Sequence, residues 1–249
     1  MTAIDRLWPD AASDVADDEL VARPASPWLT VNFVSSLDGA ATVDGLSGGL
    51  SGAADKRVFE LLRRAADAVL VGAGTVRAEG YGAMRVSDES AAWRRAHGLP
   101  PHPVFVIVSG SLDLDPASGI FTEAPVTPVL VTTERSSARR SAFEGLARVV
   151  VAGDDELEVP AMLGALRELG LDRILAEGGP SLFGTLLAAG AVDELRLTLG
   201  AVLVAGDAGR IARGVLPAPA GARLAGVLRS GDELLLRYLL HAEGGRSGE

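Results

Sequence analysis

Apolar and β-branched runs recur along the chain, most of them closed by a turn that carries Gly, Pro or Ser. Their length and composition predict buried strands at Trp28–Ser35, Ala68–Gly72, Val104–Val108, Val129–Thr132, Arg148–Ala152 and Glu194–Leu199, with a further strand ending at Arg173–Ala176. Asp232–Leu240 alternates instead, which suits an antiparallel strand at a sheet edge. Between these runs the apolar spacing changes to three and four. Val58, Leu61, Leu62 and Ala65 predict a helix from Ala53, and helices are also expected near Ser136–Leu146 and Pro160–Leu169. Pro180 opens another, with Leu182, Phe183, Leu186 and Leu187 on a core-facing stripe. Strands alternating with helices predict an α/β fold of three layers around a mixed, mostly parallel sheet. Residues 1–27 read as an irregular acidic arm, 28–241 as one domain and 242–249 as a disordered tail. Residues 80–103 read as a long connection and 200–214 as a Gly-rich link.

Two places repeat a strand, a Gly turn and a helix. In the first, Glu177 stands at the strand's carboxyl edge, Gly178-Gly179 makes the turn and Pro180 starts the helix. The backbone N–H groups within residues 179 to 182, where Pro180 has none, have no partner inside that helix and sit at the positive end of its dipole, a favourable place for a phosphate. A tight connection with no ligand has the same local pattern. The second unit is Ala68–Gly72 followed by Ala73-Gly74-Thr75-Val76-Arg77-Ala78-Glu79. Ligands of open α/β sheets bind beyond the carboxyl ends of strands. That rule selects Ser36, Asp38, Gly74, Thr75, Ser109, Glu177, Gly178 and Gly179 as one converging set. The segment Gly45–Gly52 is either a flexible cover or a loop that lets backbone approach a ligand.

Composition narrows the chemistry. The chain has 249 residues, 48% hydrophobic and 22% charged, with a formal charge of −10, so a nucleic-acid partner is not expected. No apolar run approaches the length of a membrane span, and the acidic first 27 residues do not read as a signal peptide, so a cytoplasmic location is expected. Zero cysteines remove disulfides and thiolate chemistry, and His97, His102 and His241 lack metal-ligand spacing, so no metal is expected. Lys56 is the single lysine. No Ser is paired with a base, and neither Gly-x-Ser-x-Gly nor a Walker loop is present. Gly72-Ala-Gly74 begins a dinucleotide fingerprint that breaks at Arg77. Chemistry carried by a bound cofactor is the remaining expectation.

Five blocks, in order and spacing, are more specific than any alone: Ser36-Leu-Asp-Gly39, Leu61-Leu-Arg63, Ala68–Val76, Glu177-Gly-Gly-Pro-Ser-Leu182 and Val192-Asp-Glu-Leu195. Together they resemble the riboflavin-biosynthesis pyrimidine reductase family, the C-terminal reductase domain of the bifunctional deaminase-reductase, over residues 28 to 240. The resemblance implies a dihydrofolate-reductase-like fold, a homodimer joined through a sheet edge, and NADPH as cofactor. It implies hydride transfer to C1 of the ribosyl group of a ribosylamino-pyrimidine 5′-phosphate, a small phosphorylated pyrimidine. By position it assigns Ser47, Gly74, Thr75, Glu79, Ser109, Gly178, Gly179, Pro180, Ser181 and Leu182 to the cofactor. It assigns Asn32, Ser36, Arg63, Arg85 and Glu177 to the substrate, and Asp38 and Glu177 to catalysis. The fused zinc deaminase is not expected, because its ligands require cysteine. Departures from the pattern are Glu79 in place of Asp, a segment one residue short before Arg85, Gly49 in place of Trp, and Asn32 where bifunctional members carry Lys. A pterin or folate reductase and a non-catalytic NADPH-binding module are the two alternatives.

Overall fold

A computed structural model of the chain describes residues 2–240. The expected tail at 242–249 and His241 lie outside the described residues. Ten strands form one sheet: β1 (Asp5–Trp8), β2 (Trp28–Ser35), β3 (Ala68–Gly72), β4 (Val104–Val108), β5 (Val129–Thr132), β6 (Arg148–Val151), β7 (Arg173–Gly178), β8 (Glu194–Leu199), β9 (Arg223–Ser230) and β10 (Glu233–Leu239). Their order is β1-β9-β10-β8-β2-β7-β3-β4-β5-β6. From β8 to β6 every pairing is parallel, and β10, β9 and β1 extend the sheet antiparallel. The helices are α1 (Asp17–Leu20), α2 (Ala53–Ala65), α3 (Ala73–Ala78), α4 (Asp88–Ala96), α5 (Gly119–Thr122), α6 (Val159–Glu168) and α7 (Pro180–Ala188), with a 3-10 helix at Glu134–Phe143. Among the described residues no helix is long and apolar enough to cross a membrane.

Three layers follow from the period-two alternation of the strands. Val69 and Val71 of β3 face a core closed by Val58, Leu61 and Leu62 of α2, whereas Ala68 and Leu70 face one closed by Met162 and Leu166 of α6 and Leu182, Phe183 and Leu186 of α7. Both faces of the central strands are therefore dry. This explains why they read as continuous apolar runs.

Several expectations are corrected. The strand at the C-terminal end lies between β8 and β9 and is interior to the sheet; the edges are β1 and β6. The acidic arm contributes β1, which pairs with β9, and buries Ile4, Val15, Leu20 and Val21. The 80–103 connection contains α4, started by Ser87, whose hydroxyl accepts from the Ser90 N–H. Its apolar periodicity is weak because a buried arginine does the packing: Arg94 donates to the carbonyls of Arg64, Ala66 and Pro100, the first two at the C-terminal end of α2. β9 escaped notice because Gly226 interrupts its pattern. The helix near Ser136–Leu146 is 3-10 and runs from Glu134, with Phe143 its buried anchor.

Candidate active site

A cleft of about 650 Å³ opens beyond the carboxyl ends of β2, β7 and β3. Its walls are the starts of α7 and α3, the cleft face of α2, and the segment 45–51. Gly178 and Gly179 form its floor because no other residue fits there. Gly178 has φ +131°, a region side chains avoid, and a Cβ on Gly179 would collide with the Thr75 hydroxyl of α3. The two strand, Gly and helix units thus nest against one another. Thr75, Gly74 and the first turn of α7 (Pro180, Ser181, Leu182) line the same cavity. The first amides of α7 have no intrahelical acceptor, so this end of the cleft suits an anion.

Next to this floor in the chain, Glu177 is buried, with none of its side chain exposed. Its Oε1 accepts from Arg63 Nε at 2.5 Å and its Oε2 from Arg63 Nη2 at 2.6 Å and from the Tyr81 hydroxyl at 3.0 Å. A carboxylate has about four acceptor sites, so three donors nearly saturate it. Burial on its own would lower the Arg63 guanidinium; the Glu177 carboxylate more than offsets this and raises it above its ordinary range. Burial first, and Glu177 second, push the Tyr81 hydroxyl well up, so it stays protonated and donating. Phe59 lies under the Arg63 guanidinium, 4.3 Å from its ring centroid. Glu79 ties down the Gly-rich segment, its Oε1 accepting from the Ser47 N–H at 2.9 Å. That segment is consequently a fixed wall of the cleft.

The cleft brings together Asn32, Ser47, Gly74, Thr75, Glu79, Glu177, Gly178, Gly179, Pro180, Ser181 and Leu182, and Arg63 lines an adjoining hollow that shares Ser47, Phe59, Glu79 and Tyr81. Four expected site residues are elsewhere. Arg85 donates through Nη2 to the Glu123 carbonyl at 2.6 Å, at the end of α5. Ser109 is buried beyond β4 and outside the cleft lining, with its N–H on the Val131 carbonyl. Asp38 lines a separate hollow of about 370 Å³ with Ala205, Gly206 and Arg210. There its carboxylate accepts from the Ser36 hydroxyl at 2.5 Å and from the Ala205 N–H at 2.7 Å. The turn that carries it curls away from the cleft through Gly39, at φ +91°. The Ser36 hydroxyl first, and the backbone N–H groups of Ala205 and Val204 next, hold the Asp38 carboxyl down at about 2. Ser36 and Asp38 therefore anchor the 200–214 link to the end of β2.

Sequence reading missed Tyr81, Phe59, Arg213 and the placement of Lys56, all of which line the cleft. Tyr81 and Arg213 sit in Gly-bearing stretches with no periodicity. Lys56 did carry a signal, as the one lysine of the chain. The arrangement offers an anion-binding floor, a fixed guanidinium held by a buried carboxylate, and no nucleophile paired with a base. It is built to bind and orient, with the reacting electrons brought by a ligand.

Residues 27–236 match the family described as the RibD C-terminal domain. The 2,5-diamino-6-ribosylamino-4(3H)-pyrimidinone 5′-phosphate reductase of Archaeoglobus fulgidus is 29% identical over 181 residues, covering 72% of this chain and 83% of its own length. The riboflavin biosynthesis protein RibD of Bacillus amyloliquefaciens is 28% identical over 188 residues, which span 74% of this chain and 48% of that protein. Among solved structures, a pyrimidine reductase-like protein from Corynebacterium diphtheriae superposes with a TM-score of 0.82 at 25% identity, over 92% of this chain and 100% of its own.

Proposed function

We propose a specific reaction for a chain that belongs to the RibD C-terminal domain family: NADPH-dependent reduction of a ribosylamino-pyrimidine 5′-phosphate. The chain is an oxidoreductase of riboflavin biosynthesis with the dihydrofolate-reductase-like fold. The observation that carries the reading is the Arg63–Glu177 pair, whose buried carboxylate belongs to the residue immediately before the Gly178-Gly179 floor and the start of α7. When bound, the reduced nicotinamide supplies the hydride that converts the ribosylamino group to a ribitylamino group. The backbone N–H groups of Ser181 and Leu182, the Thr75 hydroxyl and the Arg213 guanidinium would hold the cofactor's diphosphate, and the absence of a Cβ at Gly178 and Gly179 lets that group approach the backbone.

The protein's own contribution is orientation and electrostatics. Glu177 fixes Arg63 through two of its three guanidinium nitrogens, Nε and Nη2, leaving Nη1 to face the polar edge of a pyrimidine. Tyr81 donates to the same Oε2 that accepts from Arg63 Nη2, a further restraint on the carboxylate. Asn32, in the wall at β2, is a second polar contact for the substrate. The proposal includes a cytoplasmic homodimer. Its support is the sheet face carrying Leu197, Leu234, Leu236 and Val227, which are cross-strand neighbours, lie outside both core clusters and are half exposed.

The test mixes the purified protein with reduced cofactor and either the diaminopyrimidinone or the aminouracil form of the ribosylamino phosphate, following loss of reduced-nicotinamide absorbance. Turnover with NADPH, and at least about tenfold less with NADH, is expected. Turnover with dihydrofolate alone, or tight NADPH binding with no turnover of any of these, overturns the reading.

A further inference from the structure

The proposed substrate carries a phosphate, yet the two arginines that the resemblance assigns to the substrate are engaged elsewhere. Arg63 is clamped on Glu177, and Arg85 spends its guanidinium on the Glu123 carbonyl outside the cleft. Two cations line the cleft, and among the described residues neither has a side-chain hydrogen bond or ion pair: Lys56 and Arg213. They stand in different neighbourhoods. Arg213 is fixed at α7, its N–H on the Pro180 carbonyl, beside the anion-friendly floor. Lys56 is on α2, on the same helical face as Phe59 and Arg63 by the i, i+3, i+7 spacing. Seven residues of helix separate it from Arg63 by about 10 Å along the axis. An opened pentose phosphate whose base rests at Arg63 spans that distance.

Helix physics does not call for Lys56. It lies one turn into α2, at the end where the dipole disfavours a cation. Asp55 in the first turn and Arg63 and Arg64 in the last obey the rule, and Arg57, the other cation near that end, is compensated by Asp17. Lys56 is also the one lysine among 23 Lys and Arg residues. The neighbouring carboxylates are committed to other donors: Asp55 to the Ser51 hydroxyl, Glu233 to the Gly52 N–H and Glu60 to the Ser87 N–H. A local rule broken without a structural return marks a functional position. A compact ammonium with three rotatable donors meets a phosphate as a point charge.

We propose that Lys56 anchors the 5′-phosphate of the substrate, from α2 and so from a different wall of the cleft than the Gly178-Gly179 floor and the start of α7. The inference rests on the reading that the substrate is a ribosylamino-pyrimidine phosphate. Lys56 is exposed, so Lys56→Gln leaves folding intact. Expected for Lys56→Gln is a KM for the phosphorylated substrate raised about 10- to 100-fold, with kcat and the NADPH Kd within about twofold, and with the preference over the dephosphorylated substrate lost. Lys56→Arg keeps most of that preference. A binding measurement runs beside the kinetics: an amine-selective reagent reports Lys56 alone beyond the N-terminal amine, read by mass spectrometry. Ribose 5-phosphate should protect it, and ribose should not. An unchanged KM in Lys56→Gln, or protection by NADPH and none by ribose 5-phosphate, overturns the assignment. Protection by ribose 5-phosphate in a protein that reduces no ribosylamino-pyrimidine supports the anchor and overturns the substrate reading instead.

Discussion

Glu177 is the residue on which the site turns, because its charge is used twice. It neutralises a half-buried guanidinium and it accepts from a half-buried phenol. Glu177→Gln keeps the shape and removes the charge, so the half-buried Arg63 guanidinium loses its counter-ion. A loss of about 3 kcal/mol in folding stability is expected, measured by urea unfolding, together with at least a tenfold fall in kcat/KM. Unchanged stability and turnover would mean that the pair does not organise the cleft. Asp38 behaves differently, since its carboxylate is exposed and works through hydrogen bonds to the 200–214 link. Its folded value of about 2 lies below the ordinary 3.8, so its contribution is fully present above pH 3.8 and lost as pH falls to about 2. Asp38→Asn is expected to flatten the stability profile across that acid window and to leave turnover at neutral pH within a few fold. A hundredfold loss of kcat in Asp38→Asn would restore it as a catalytic group.

At the scale of elements, α7 serves the cleft with its first turn and the 200–214 link with its middle. A Cβ on Gly184 would collide with the Arg213 carbonyl, so this glycine is what lets the link cross the helix and present Arg213 beside Pro180. Gly184→Ala should therefore cost about 1–3 kcal/mol by crowding. It should also weaken NADPH binding, read by cofactor fluorescence titration. Gly164 in α6 is the control, because a Cβ there meets nothing within 4 Å. Gly164→Ala should stabilise by about 0.5–1 kcal/mol through helix propensity, and leave cofactor affinity alone. If both substitutions behaved alike, helix propensity and not the crossing would be the cause. Among the elements that escaped sequence reading, α4, β1 and β9 are ones whose packing depends on partners far along the chain: Arg94 on the end of α2, and β1 on β9.

For the molecule as a whole, the antiparallel extension β10-β9-β1 leaves a half-exposed apolar sheet face without a helix. Leu236, paired with Leu197 and Val227, lies within it. Leu236→Arg places a charge on that face, and the expected result is a mass halved to that of one 25.6 kDa chain, measured by light scattering. A wild-type protein that is already monomeric at micromolar concentration would remove the proposed dimer. The surface charge of −10 opposes association, so the apolar area must outweigh it, and raising salt should tighten the dimer.

By itself the sequence determined the three-layer alternation, the strand ends, the Gly178-Gly179 floor and the location of Glu177, because these depend on side-chain period and on turn chemistry within a few residues. The strands β2, β3, β4, β5 and β8 were legible to the residue for that reason. Only the tertiary structure decided which groups meet. Arg63 and Glu177 are 114 positions apart, and their pairing depends on β7 lying between β2 and β3 with α2 packed across them. The same three-dimensional placement turned Arg85 toward α5, Asp38 toward the 200–214 link, and the single lysine toward the cleft. Local pattern says where a side chain begins; the direction in which it ends, and the partner it finds there, is set by sheet order and helix packing.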